Sequence, residues 1–210
     1  MFFVHIPKCG GMFISNTLKC RVQHKPITLQ HTHPYIVCLR HPLETFISFY
    51  FYLKQRRNRF RLSVVAKKNT LNEFIQILMN APRLNAEQLQ LQPIHQYSST
   101  DYGMYTHYLL HLANPYNHTS IENVIDVIER DFLILRFETL ETDLQTHFPT
   151  HRLPSKKINA SKWDLTERIT QETFDLVKEK ERVVLERLFP HILSMSLDEL
   201  NTSLFEKNEF

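Results

Sequence analysis

At 210 residues, 42% hydrophobic and 11% aromatic, the chain can build one sizeable core and does not have the composition of a disordered protein. A net charge of +3 admits an anionic substrate without requiring nucleic acid. Its three cysteines, Cys9, Cys20 and Cys38, form no Cys-x-x-Cys or Cys/His metal spacing and suit a reducing compartment, and no stretch approaches the roughly 18 apolar residues of a membrane span.

In chain order, FFVHI (2–6) reads as a short buried strand, and residues 12–20 as a helix with Phe13, Thr17 and Leu18 on one face. Between them stands PKCGG (7–11), which holds two of the three glycines of the whole chain. Residues 21–34 are polar and bounded by prolines. YIVCL (35–39) is a continuous apolar run of strand length, as expected of a parallel strand buried on both faces. The dense run after Pro42, LETFISFYFYLKQRR, lacks Gly and Pro and favours a helix over the strand its aromatic residues would also suit.

KQRRNRFR (54–61) carries five positive charges and reads either as a solvated helix face or as one wall of a groove for an acidic acceptor, with Lys67 and Lys68 beyond it. Helices are expected over 71–79, 86–97 and 101–113. A further helix over 120–130 has Ser120 as N-cap and an apolar stripe at 121, 124, 125 and 128. DFLILRF (131–137) is the third strong strand. A polar stretch leads to one long charged helix over about 166–188, and a short helix near 196–205 ends the chain.

Strands separated by helices indicate an α/β fold, and the chain reads as a single domain: a core over about 1–162 and a helical part over about 163–210. Starting almost directly on a strand, it reads as a cytoplasmic protein if complete, or as Golgi-type lumenal if an N-terminal anchor once preceded it. The sequons at Asn117, Asn159 and Asn201 are near chance frequency.

Two motifs carry chemistry. In PKCGG, an ammonium at Lys8 precedes glycine amides and a helix N-terminus, which together attract an anion; an ordinary tight turn is the plainer reading. Here the Lys precedes the glycines and no hydroxyl follows, unlike a magnesium-nucleotide loop. In LRHPLETFISFY (39–50), Arg40 ends a strand, at the rim where α/β sheets bind ligands, and Ser48 follows on the next helix. A guanidinium there can grip a phosphate, or simply pair with Glu44.

Together, HIPKCGG and RHPLETFISFYFYL resemble the 5′-phosphosulfate loop and the 3′-phosphate motif of sulfotransferases that use 3′-phosphoadenosine 5′-phosphosulfate (PAPS), in particular the carbohydrate-modifying branch. DFLILRFETLETDL (131–144) is similar to that family's strand and R-[FY]-E-x-L segment, and LPSKKINASK (153–162) to its downstream loop. The resemblance implies a P-loop-like three-layer α/β/α domain in compact form, with a central, mostly parallel sheet. It implies PAPS as sulfuryl donor, PAP as product, no metal, and a hydroxyl-bearing acceptor, with an acidic or neutral glycan favoured. It implies neither nucleic acid nor a membrane segment as partner, and leaves the oligomeric state open.

Carried over by residue, the resemblance has Lys8 neutralise the bridging oxygen, while Cys9, Gly10, Gly11, Met12 and Phe13 offer backbone N–H groups to the 5′-phosphate. Arg40 and Ser48 hold the 3′-phosphate. Met12 replaces the usual Thr or Ser, for which Ser15 is the nearby substitute, and Thr45 stands near where a second Arg is expected. The acceptor hydroxyl needs a general base, and His31 and His33 are the candidates, ahead of Glu44 and His95. The same two histidines also read as solvated loop residues or as an incomplete metal pair, and His5 as a core residue. Lys156, Lys157 and Lys162 could reach the cofactor from the downstream loop. The alternatives are a P-loop-like nucleotide or sugar kinase and a non-catalytic nucleotide- or polyanion-binding domain.

Overall fold

The computed structural model describes residues 2–20, 22–23, 35–55, 61–80, 102–112, 120–154, 163–164 and 166–206. His31, His33, His95, Lys156, Lys157, Lys162 and the helix expected over 86–97 lie outside these residues. The chain divides into two units, one made of Met1–His41 with Leu109–Ala160 and the other of Pro42–Tyr108 with Ser161–Phe210.

The first unit holds a small all-parallel sheet, so the chain is broadly α/β although most of its elements are helices. Its strands are β1 (Phe2–Val4), β2 (Val22–Gln23), β3 (Tyr35–Leu39) and β4 (Phe132–Arg136), in the spatial order β2-β1-β3-β4. Val4 stands opposite Val37, and Leu39 opposite Arg136. Every residue of β3 is buried, as its unbroken apolar run requires of a central strand. Burying each such side chain contributes about 1.5–3 kcal/mol.

Helix α1 (Gly11–Leu18) connects β1 to β2 and buries Gly11, Ile14, Thr17 and Leu18. The two-residue β2 falls where the sequence showed only polar, proline-bounded chain; it is too short to produce a periodic signal. From β1 the chain steps to one side to reach β2, whereas β3 and β4 lie on the other side. The order therefore reverses between β1 and β3, and in open parallel sheets the crevice at the strands' carboxyl ends at such a point receives ligands.

Helix α6 (Ile121–Asp131) leads into β4 and follows, in chain order, α2 (Pro42–Gln55), α3 (Arg61–Lys68), α4 (Leu71–Asn80) and α5 (Met104–Leu112). The Ser120 hydroxyl accepts from the Asn123 N–H, and Ile121, Val124, Ile125, Val127 and Ile128 are buried, as the apolar stripe predicted. After β4 a 3₁₀ turn (Phe137–Thr139) leads into α7 (Leu140–His147), for which the sequence predicts no element.

The second unit is helical. In α2 (Pro42–Gln55) the buried residues include Leu43, Phe46, Ile47, Tyr50, Phe51 and Leu53, so the helix is apolar almost all round and packs against α3 (Arg61–Lys68) and α4 (Leu71–Asn80). Residues Met104–Tyr108 of α5 (Met104–Leu112) also belong to this unit.

The single long helix expected over 166–188 is a correction. Residues 166–170 are not helical, because Asp164 accepts from both the N–H and the hydroxyl of Thr166, and Thr170 then caps α8 (Gln171–Lys180). Glu181 breaks the remainder at φ −109°, ψ 20° before α9 (Arg182–Leu188). Short α10 (Pro190–Leu193) and α11 (Leu197–Asn201) follow, the latter entered through a Ser196/Glu199 capping box. No helix among the described residues is long and apolar enough to cross a membrane.

Candidate functional site

The site lies in the first unit, where the adjacent strands β1 and β3 end. Beyond β1 the chain buries Ile6 and turns, and the Cys9 N–H closes that turn on the Ile6 carbonyl at 3.2 Å. Cys9 is itself fully buried. It forms the floor of the loop, and its amide is engaged within the turn; this corrects the expectation that Cys9 would offer that amide to a phosphate.

Lys8 and Gly10 both have left-handed backbone, with φ of 67° and 72°. Gly10 is the N-cap of α1, and the first intrahelical bond runs from the Ile14 N–H to the Gly10 carbonyl at 3.0 Å. By helix geometry the N–H groups of Gly11, Met12 and Phe13 then face out of the first turn. That turn carries no acidic residue to offset the positive end of the helix dipole.

The two neighbouring glycines are required for different reasons. At Gly10, the backbone is left-handed and a Cβ would come within 2.8 Å of Leu140 Cδ2 and 3.4 Å of Phe137 Cδ2. At Gly11, the φ is ordinary, but the imidazole of His5 occupies the space a Cβ would need. His5 itself, expected inside the sheet as a core residue, is half-buried just beyond β1 and packs against Gly11.

Arg40, at the end of β3, is only 6% exposed. Its Nη1 donates to the Lys8 carbonyl at 3.0 Å, and its guanidinium carbon lies 3.9 Å from the centroid of the Phe137 ring. The left-handed Lys8 backbone is thus held by a charge-assisted hydrogen bond from the neighbouring strand. One residue on, the His41 N–H donates to Glu138 Oε1 at 3.2 Å. Asp143 Oδ2 accepts from the Arg136 N–H at 2.7 Å, which fixes the start of the turn that carries Phe137.

The thiols here are not poised as nucleophiles. Burial pushes the Cys38 thiol well up, with further upward contributions from Cys9 and Glu138, and burial also raises Cys20.

The remaining expected residues fall as follows. Met12 is 49% exposed. Ser15, its suggested substitute, donates to the Cys20 carbonyl at 2.9 Å, beyond the C-terminal end of α1, so it does not restore the missing hydroxyl at the first turn. Ser48 and Glu44 lie on α2 in the second unit, where Ser48 is buried. From the basic run, the Lys54 ammonium sits 4.8 Å from the Tyr50 ring centroid and 4.0 Å from Glu167 Oε1. Lys67 and Lys68 are exposed at the end of α3.

Two functional-looking groups escaped the sequence reading. Nothing in the sequence distinguishes Phe137 among the fifteen Phe residues of the chain. Glu181 stands in KEKER, a run that reads as solvated surface, yet it is completely buried. Its Oε1 accepts from the Tyr105 N–H at 2.8 Å, and its Oε2 from the Thr106 N–H at 2.8 Å and the Thr106 hydroxyl at 2.6 Å. Loss of hydration pushes this carboxyl up to about 7, although the hydrogen bonds from Thr106 and Tyr105 pull the other way.

Set beside known proteins, the chain gives no match to a family model, to a curated protein or to a solved structure.

Proposed function

We propose that this protein is a PAPS-dependent sulfotransferase that moves a sulfuryl group to a hydroxyl, with a glycan as the favoured acceptor, on a compact P-loop-like three-layer domain. The observation that carries the reading is the 3.0 Å hydrogen bond from Arg40 to the Lys8 carbonyl. It joins the two motifs of the resemblance at the point where the strand order reverses.

The residues fit an anionic ligand. Outward amides of Gly11, Met12 and Phe13 and the positive end of α1 suit a 5′-phosphosulfate. Lys8, at the entrance, offsets charge that develops on the bridging oxygen as its bond to sulfur breaks. Arg40, at the end of β3, is the residue the reading assigns to the 3′-phosphate, which a guanidinium fork can grip in bidentate fashion. As the acceptor oxygen bonds to sulfur, its proton passes to a base, the role assigned to His31 or His33, and PAP departs with the bridging oxygen.

Calorimetric titration with PAP and with adenosine 5′-phosphate tests the reading. PAP is expected to bind at least about tenfold more tightly, and Arg40→Ala to remove most of that difference. Equal affinities in the wild-type protein would overturn it. Transfer of labelled sulfate separates the enzyme from a non-catalytic nucleotide-binding domain, and magnesium-dependent ATP turnover would favour the kinase alternative. Lys8→Ala should lower turnover by about 100-fold or more while cofactor affinity changes far less; an active variant refutes the assigned role.

A further inference from the structure

We infer that Phe137 is a positioning residue for the candidate site, one ring that sets both the glycine loop and the Arg40 guanidinium. This deepens the sulfotransferase reading and rests on it. Phe137 begins the 3₁₀ turn that follows β4, the strand next to β3, so sheet order brings it to the same rim as Arg40. Its ring lies beneath the guanidinium at 3.9 Å, and its edge stands 3.4 Å from where a Cβ on Gly10 would be.

The neighbours of Phe137 make the same connection. Leu140 closes on Gly10 from α7, and Glu138 takes the N–H of His41, the residue after Arg40. Residues 137–140 therefore touch both motifs, at Gly10 and at Arg40–His41. A guanidinium stacked on a ring keeps its N–H donors in the plane, pointing outward from the ring edge. One of them already reaches the Lys8 carbonyl. Stacking thus fixes the plane of the fork that the sulfotransferase reading assigns to the 3′-phosphate. A branched aliphatic side chain would fill the space beside Gly10 but would offer no π face to the cation.

The test compares Phe137→Leu with Phe137→Tyr. Phe137→Leu is expected to lower the ratio of PAP to adenosine 5′-phosphate affinity by about fivefold, with adenosine 5′-phosphate affinity held within about twofold, and Phe137→Tyr to keep the wild-type ratio. An unchanged ratio in Phe137→Leu, an equal loss for both nucleotides, or a Tyr variant as impaired as the Leu variant would overturn the inference.

A second readout needs no nucleotide. The Arg40 Nε–H resonance, assigned by its disappearance in Arg40→Lys, should shift in Phe137→Leu and hold in Phe137→Tyr, because ring current and stacking act on it directly. If wild-type protein binds the two nucleotides equally, the sulfotransferase reading fails on that result, and an unmoved resonance would separately end the positioning role of Phe137. A shifted resonance would sustain it.

Discussion

Among the described residues, each unit buries one charged side chain that holds main chain in place, but with opposite sign. In the first unit the cation of Arg40 holds a carbonyl, that of Lys8, in a left-handed turn. In the second, the anion of Glu181 holds two amides and a hydroxyl at the start of α5. Their surroundings differ as well. Arg40 has an aromatic face and slight exposure, whereas Glu181 has no exposure and accepts from the neutral donors of Tyr105 and Thr106. Arginine stays charged almost regardless of environment, but a carboxylate can shed its burial cost by taking a proton. The second arrangement is therefore a structural clamp that titrates.

Removing Glu181 should have the largest effect. Glu181→Leu leaves the Tyr105 and Thr106 amides and the Thr106 hydroxyl without their buried acceptor, so about 3–5 kcal/mol of stability should disappear in urea unfolding near pH 7.5. A loss below about 1 kcal/mol would mean that α5 finds another cap. Gly103 supports the clamp: a Cβ there would collide with Glu181 Oε1, so Gly103→Ala should reproduce part of the defect.

The pH dependence of the wild-type protein follows from the same group. Burial lifts its folded pKa to about 7 from the ordinary 4.5, so the native state holds the proton where the unfolded chain has released it. This contribution is complete below about pH 4.5 and is lost as pH rises towards and through 7, a span of about 3 kcal/mol. Glu181→Gln, which cannot ionise, should flatten that slope. If wild type and Glu181→Gln show the same profile between those limits, the carboxyl is ionised throughout and the contrast with Arg40 collapses.

The two regions were unequally legible in the sequence. PKCGG and the apolar strand ending at Arg40 announce themselves because glycine pairs and unbroken apolar runs are rare and have a short list of physical causes. Their meeting was legible only as a consequence of strand order, which no local pattern encodes. The interruption at Glu181 left no trace, since EKERVVLERL has good helix formers throughout and the break comes from a distant demand, the uncapped start of α5. Cys9 shows the converse limit. It sits inside a motif of amide donors, and only the turn geometry reveals that its own N–H is already engaged.

On the Arg40 side the expected effects are smaller. Arg40→Met keeps an unbranched stem but removes the donor to the Lys8 carbonyl, and about 2 kcal/mol should be lost with little change between pH 5 and 8. A pH-dependent loss would place a titrating group in that cluster and weaken the comparison.

The smallest effect is expected at Lys8, where backbone and side chain make separable contributions. A non-glycine residue at φ 67° costs about 1 kcal/mol, and glycine relieves this at the expense of greater freedom in the unfolded chain. Lys8→Gly should therefore leave stability unchanged or raise it by up to about 1 kcal/mol, because the carbonyl that Arg40 grips is still present. Under the proposed reaction the same variant loses the ammonium beside the bridging oxygen, so sulfuryl transfer should fall about 100-fold or more while PAP still binds. A Lys8→Gly protein that unfolds more easily would show that the side chain helps to anchor the turn. A stable variant with full turnover would leave Lys8 with the backbone role alone.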